Sequence, residues 1–410
     1  MNFRIIAYIV GWVCNFQAAF MMLPLLTAGI YREKDFSAFL LVMLVCLVVG
    51  VPLTRKKPKN KVFYIKDGCV AVALSWLALC IFGSIPFVVS GCIPHPIDAL
   101  FETVSGFTTT GSSILSDVEV LPHCILIWRS FTHWIGGMGV LVFLLSLLPL
   151  AGGYHMNLMK AESPGPSVSK LVPKVQSTAK ILYTIYFGMT LIQLALLLIG
   201  RVPLFDSLCI TFGTAGTGGF GIVNDSLGSY STYCQVVTTI FMILFGVNFS
   251  AYYLILTKKF RQAFKYEEVR YYFGIIAVAI VIIALNTAHL FRNLLTAFQQ
   301  AAFQVGSIIT TTGFSSTDFN QWPALSKTVL VLLMFVGACA GSTGGGIKVS
   351  RILILCKAAK KEFQLYLHPN AVKKIKMDDK VITHDILRST NIYILSLIHI
   401  SEPTRPEPIS

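Results

Sequence analysis

The stretch "SIITTTGFSS", Ser307 to Ser316, is polar, threonine-rich and broken by one glycine, yet it lies between two long apolar runs. A near copy, "SGFTTTGSS", occupies Ser105 to Ser113. Aligning the chain on the glycine of each brings out a third, more diverged version. The copies read "IDALFETVSGFTTTGSS" around Gly111, "LFDSLCITFGTAGTGGFG" around Gly219 and "AFQQAAFQVGSIITTTGFSS" around Gly313. Asp98 and Asp206 each stand 13 positions before their glycine, and Gln300 takes that place in the third copy. Repetition on this scale marks an architecture built from one recurring unit.

The solvent of that architecture is lipid. Hydrophobic residues form 55% of the 410 and charged residues 13%, about half the charged share of a soluble domain. Apolar runs occupy 5–26, 70–89, 125–150, 181–199, 236–256, 273–285 (extendable toward Leu290) and 328–340. A bilayer span needs roughly 20 such residues. The first run is too long for a cleavable signal peptide and leads into no small-residue cleavage site. Each repeat thus reads as span, short segment, Thr/Gly stretch, span. The short segment, about 10 to 14 residues, cannot cross a bilayer and reads as a re-entrant helix.

The formal net charge of +14 is not a nucleic-acid footprint, because the basic residues alternate with the spans. They cluster at Arg55 to Lys66, at Lys160 to Lys180, at Lys258 to Arg270 and from Arg351 to Arg388. The stretch from Cys92 to Cys124 has no Lys or Arg and carries Asp98, Glu102, Asp117 and Glu119. By the positive-inside rule the basic loops are cytoplasmic and the Thr/Gly stretches open on the other side.

A non-helical turn inside a membrane is tolerated only where it is buried in protein or lines a wet cavity. Three such turns in one orientation predict the wall of a pore. Glycine allows backbone angles that turn carbonyls toward an axis, and threonine stiffens an extended strand. A ring of carbonyls can replace the water shell of an alkali cation, aided by the negative ends of the preceding helices. Acidic outer loops would gather cations at the mouth.

Other motifs carry less. "GTGGFG" from Gly216 imitates a dinucleotide fingerprint but has no strand before it. "GSTGGGIK" from Gly341 imitates a phosphate loop, but Ile347 separates glycine from Lys348. The eight histidines show no ligand spacing, and no nucleophile–base pair stands out, so the chain reads as no enzyme. The ten cysteines are scattered and read as buried thiols, with Cys92 and Cys124 the one pair placed for a bridge. Three glycines with Ser342 and Thr343 cannot hold a helix, so the span from Thr328 must break at Gly341 to Gly346.

The three Thr/Gly stretches, "LIWRSFTHWIGGMGVLV" from Leu126 and "CAGSTGGGIKVSR" from Cys339 together resemble the TrkH/KtrB superfamily of potassium uptake proteins, closest to its TrkH branch, to about residue 395. The resemblance implies an all-α polytopic membrane protein with pseudo-fourfold repeats of span, pore loop and span around one pore, after an extra pair of spans at about 5–29 and 37–53. It implies a potassium-binding filter of Thr109, Thr110 and Gly111, then Thr217, Gly218 and Gly219, then Thr311, Thr312 and Gly313. It makes Gly341, Ser342, Thr343, Gly344, Gly345 and Gly346 an intramembrane gating loop inward of the filter. It also implies potassium as the transported ligand with no cofactor, a homodimer, a cytosolic nucleotide-binding RCK-type regulatory subunit, no nucleic acid, and a bacterial inner membrane.

The expected divisions are 1–66 (the N-terminal pair of spans and a basic loop), repeats at 67–160, 175–265 and 270–356, and a cytosolic linker with the start of a fourth repeat at 357–396. Glycines 111, 219 and 313 are 108 and 94 residues apart, which would put a fourth at roughly 407 to 421 or later. The chain there reads "SEPTRPEPIS", and 397–410 is expected to be a non-native tail lacking the fourth strand. Arg129 reads equally as an interfacial anchor or as a partner for backbone or a carboxylate. Lys348 and Arg351 read as snorkelling to the inner interface or, less readily, as gating contacts. The basic segment Lys357 to Lys380 suits a regulatory subunit or anionic lipid. An ion-coupled secondary transporter with discontinuous helices is the alternative function. Three repeats in one orientation favour the pore.

Overall fold

A computed structural model describes residues 1–55, 57–58, 64–137, 139, 175–368, 374–378 and 380–401. Most of the basic loop before Val175, the far half of the run expected at 125–150, and the tail from 402 lie outside these residues.

The N-terminal layer holds α1 (Phe3–Phe20), α2 (Met22–Tyr31) and α3 (Phe36–Arg55). Helices α1 and α3 approach closely because small residues meet at their contact. A Cβ on Gly11 would stand 2.6 Å from Leu53 Cβ, and one on Gly50 2.3 Å from Asn15 Oδ1. Arg32 closes α2 in the left-handed region (φ 54°). Just beyond, Glu33 accepts from the backbone N–H groups of His123 (2.7 Å) and Cys124 (3.0 Å). Burial raises the Glu33 carboxyl, but those donors outweigh it and hold it below its ordinary value.

The first repeat follows as α4 (Ile65–Val89), α5 (Pro96–Phe107) and α6 (His123–Gly137). The second is α7 (Val175–Ile199), α8 (Leu204–Ala215), α9 (Thr232–Phe245) and α10 (Phe249–Leu256), and a single turn, α11 (Phe260–Ala263), leads on. The third is α12 (Glu267–Thr287), α13 (Leu294–Ile309), α14 (Ala324–Val336) and α15 (Val349–Leu367). A two-stranded antiparallel hairpin, β1 (Lys376–Met377) and β2 (Lys380–Val381), precedes α16 (His384–Ser401). Buried apolar clusters follow this division: one joins the N-terminal layer to repeat 1, one lies mainly in repeat 2 and one in repeat 3.

Among the described residues five helical stretches are long and apolar enough to cross a membrane: Phe3–Tyr31, Phe36–Arg55, Lys66–Val89, Ala179–Ile199 and Glu267–Leu290. The run expected as one span at 236–256 is instead bent by 94° between α9 and α10. The Tyr272 hydroxyl lies 2.3 Å from where a Gly246 Cβ would stand, and Asn248 starts α10 afresh by accepting from Ser250 N (2.9 Å). The break in the span from Thr328 also differs from expectation. It begins at Gly337 (φ 70°), four residues before Gly341.

Candidate functional site

The helices α5, α8 and α13 end in the same way. In each, the second residue past the last helical turn is a threonine in the left-handed region: Thr109 (φ 56°), Thr217 (55°) and Thr311 (58°). The N–H groups of Thr109, Thr217 and Thr311 bond to Gly106 O (3.1 Å), Thr214 O (3.1 Å) and Ile308 O (3.0 Å). The next N–H groups, of Thr110, Gly218 and Thr312, reach back to Ser105 O (2.9 Å), Gly213 O (3.0 Å) and Ser307 O (2.9 Å). This pair of bonds is a Schellman cap, which satisfies carbonyls the helix leaves open. A β-branched residue there costs about 1–2 kcal/mol. Two positions on, Gly111 (φ 75°), Gly219 (77°) and Gly313 (87°) return the strand outward. The threonine strain escapes sequence reading, which assigned the unusual backbone to the glycines alone.

The three strands interlock in chain order. A Cβ on Gly111 would lie 1.9 Å from Gly218 O, and one on Gly219 would lie 1.9 Å from Thr312 O. The glycines of strands 1 and 2 therefore each pack against the carbonyl one residue before the next strand's glycine. Two edges remain: the Cβ position of Gly313 has nothing within 4 Å, and Thr108 and Thr110 on strand 1 are exposed.

Behind strands 1 and 2 lies a buried ion pair. Arg129 on α6 meets Glu102 on α5 (Nη2–Oε1 2.8 Å), with side chains 2% and 0% exposed. Glu102 also accepts from Ser113 Oγ (2.9 Å) and Ile114 N (3.1 Å) just past strand 1. The guanidinium stacks 4.3 Å over the Phe220 ring past strand 2. Arg129 is thus bonded to a carboxylate and, through Nη1, to backbone at Gly221 O (3.4 Å). Glu102 belongs inside the fold and not, as its acidic stretch suggested, at the mouth. Gln304 stands in the same register before Gly313 and reaches Ser315 and Thr317 O (3.2 Å). That shared register was the signal available in the sequence.

The glycine-rich loop does not hang below the strands; it touches them. Gly345 N donates to Thr311 Oγ1 (2.7 Å), and Thr217 Oγ1 lies 2.9 Å from Thr343 O. Thr343 Oγ1 donates to Phe245 O (3.2 Å), and Phe249 N to Gly341 O (3.0 Å). Glu268 on α12 pins both shoulders of the loop, accepting from Ala340 N (2.6 Å) and Ser350 N (3.1 Å). Lys348 folds back to donate to Gly344 O, which corrects the expectation that it snorkels outward. Ser342 bonds to Cys339 O (2.6 Å), and Gly346 takes φ 81°.

All ten cysteines are free, Cys92 and Cys124 included. Among the described residues no group of His, Cys, Asp and Glu is placed to hold a metal ion.

The family model "TrkH: Cation transport protein" matches residues 34–400. The Trk system potassium uptake protein TrkH of Salmonella typhimurium is 35% identical over 399 residues, covering 95% of this chain and 82% of the relative. An uncharacterized cation transporter of Methanocaldococcus jannaschii is 31% identical over 386 residues, covering 93% and 78%. The crystal structure of the potassium transporter TrkH from Vibrio parahaemolyticus superposes with a TM-score of 0.86 at 29% identity, over 98% of this chain and 84% of that one. With a family model spanning most of its length, and relatives matching across both the strands and the loop, the chain belongs to the TrkH family of cation transport proteins.

Proposed function

We propose that this chain takes up potassium through a single pore, with Thr109–Gly111, Thr217–Gly219 and Thr311–Gly313 as filter strands. One observation carries the reading: three Schellman-capped turns of one geometry interlock glycine to carbonyl in chain order. Such strands present backbone carbonyls in series, the donor set that replaces the hydration shell of an alkali cation. Each follows a helix whose partial negative end points toward it. A fourth strand, as the family resemblance implies, would seat between the Gly313 edge and the Thr108–Thr110 edge. The relatives named as potassium uptake proteins support potassium as the cargo.

The loop from Gly337 to Lys348 is the gate. It lies against the inner ends of strands 2 and 3 through Thr217 and Thr311, so it closes the path directly beneath the filter. A homodimer in the bacterial inner membrane, controlled by a nucleotide-binding RCK-type subunit at the basic cytosolic segment, completes the proposal.

The test is radiolabelled rubidium flux into liposomes holding the purified protein. Rubidium should enter in preference to sodium, and removing Gly341 to Gly346 with the ends rejoined should raise that flux. A folded protein that passes neither ion overturns the pore. A loop deletion with unchanged flux moves the gate elsewhere.

A further inference from the structure

Strand 2 departs from the others at two places. Where strands 1 and 3 have Thr108 and Thr110, or Thr310 and Thr312, strand 2 has Gly216 and Gly218. In strands 1 and 3 those threonines form one brace. Thr108 Oγ1 donates to Val104 O (2.7 Å) and lies 2.8 Å from Thr110 Oγ1. Thr310 Oγ1 donates to Gly306 O (2.6 Å) and lies 2.8 Å from Thr312 Oγ1. A chain of hydroxyls thus ties each strand to its own pore helix.

In strand 2 that space is filled by His133 from α6, which is fully buried. A Cβ on Gly218 would lie 2.1 Å from His133 Nδ1, 2.3 Å from Cγ and 2.4 Å from Cε1, and all three of its nearest atoms belong to this ring. A Cβ on Gly216 would lie 2.1 Å from the His133 carbonyl oxygen. Both glycines are therefore imposed by one residue of the preceding repeat. The ring is also bonded at both nitrogens. Phe220 N donates to Nε2 (3.3 Å), so Nε2 is the bare nitrogen, and Nδ1 carries the proton toward Gly106 O (2.9 Å). This is a neutral imidazole held in one tautomer by a donor on one side and an acceptor on the other. The Phe220 ring lies 4.2 Å from it, centroid to centroid.

We propose that His133 is a positioning residue of strand 2, its imidazole standing in for the paired threonine hydroxyls of strands 1 and 3 and setting the carbonyls there for potassium. The inference rests on the filter reading given above. The substitution changes what the brace is attached to. All three strands are capped onto their own pore helix, but the hydroxyl brace of strands 1 and 3 ends on that same helix, whereas the ring beside strand 2 runs from Phe220 N to Gly106 O on the pore helix of repeat 1 and is carried by α6. Ion binding at strand 2 thereby depends on where α6 sits.

The test uses the purified full chain in detergent with three variants: His133→Ala, Gly218→Thr, and the two combined. Thermal unfolding is followed in potassium and in sodium. Gly218→Thr alone should lower Tm, since the ring occupies its site. In the His133→Ala background the same change should lower Tm much less, because the ring no longer occupies the threonine's site. The parent's Tm advantage in potassium over sodium should vanish in His133→Ala. An advantage that persists undiminished in a folded His133→Ala protein overturns the proposal while leaving the filter reading intact. A parent with no advantage in potassium counts against the filter reading. The Tm coupling between positions 133 and 218 then decides the contact by itself: a clearly smaller loss from Gly218→Thr in the His133→Ala background upholds it, and equal losses overturn it.

Discussion

At the residue scale, the glycines that recur through the repeats are held to their identity by two separate demands. All three of Gly111, Gly219 and Gly313 occupy positive φ, where a Cβ costs about 1–2 kcal/mol. Gly111 and Gly219 also stand against a neighbouring carbonyl that a Cβ would approach to 1.9 Å, whereas Gly313 faces open space. Alanine at 111 or 219 should therefore lower the thermal stability of this chain more than alanine at 313. Equal losses at the three sites would show that strain in the backbone, and not the interlocking of strands, governs them. The TTTG pattern was legible in the sequence because it repeats. The left-handed threonines were not, because a Schellman cap is defined by bonds to residues already coiled into a helix.

At the element scale, α5 and α6 are locked by a charge pair that the third repeat does without. Gln304 takes the place of Glu102, and α14 contains no arginine to match Arg129. Removing one member of a buried pair strands the other and costs about 3–5 kcal/mol, while replacing both is far milder. Glu102→Gln and Arg129→Met should each destabilise the protein on that scale, and the double substitution should recover much of the loss. Additive losses in denaturant or thermal unfolding would mean that the two groups act apart. The glycine-rich loop belongs to the same scale. Its glycines break the helix, and they also make room: a Cβ on Gly344 would lie 2.9 Å from Thr310 O and one on Gly345 2.9 Å from Thr311 Oγ1. Small residues there let the loop reach the strands.

At the scale of the whole molecule, the alternation of basic and acidic loops sets the orientation in the membrane. Ser116, exposed beyond strand 1, should be labelled from outside by an impermeant thiol reagent once changed to cysteine in a cysteine-free background. Lys57→Cys should be labelled only after permeabilisation. The opposite pattern would invert the molecule and put all three strands on the inner side.

Sequence alone determined the solvent, the class and the repeat. Apolar runs, loop charge and a recurring Thr/Gly string are local or periodic properties, visible without knowing which residues meet. Tertiary structure decided what each repeat leans on. The glycine at the 94° bend follows from the Tyr272 hydroxyl on another helix, which leaves no room for a Cβ. The glycines of strand 2 follow from the His133 ring on α6, and the loop's place follows from threonine hydroxyls more than a hundred residues away at Thr217. Each of these depends on contacts between distant segments, and such contacts leave no period in the chain for a sequence reading to find.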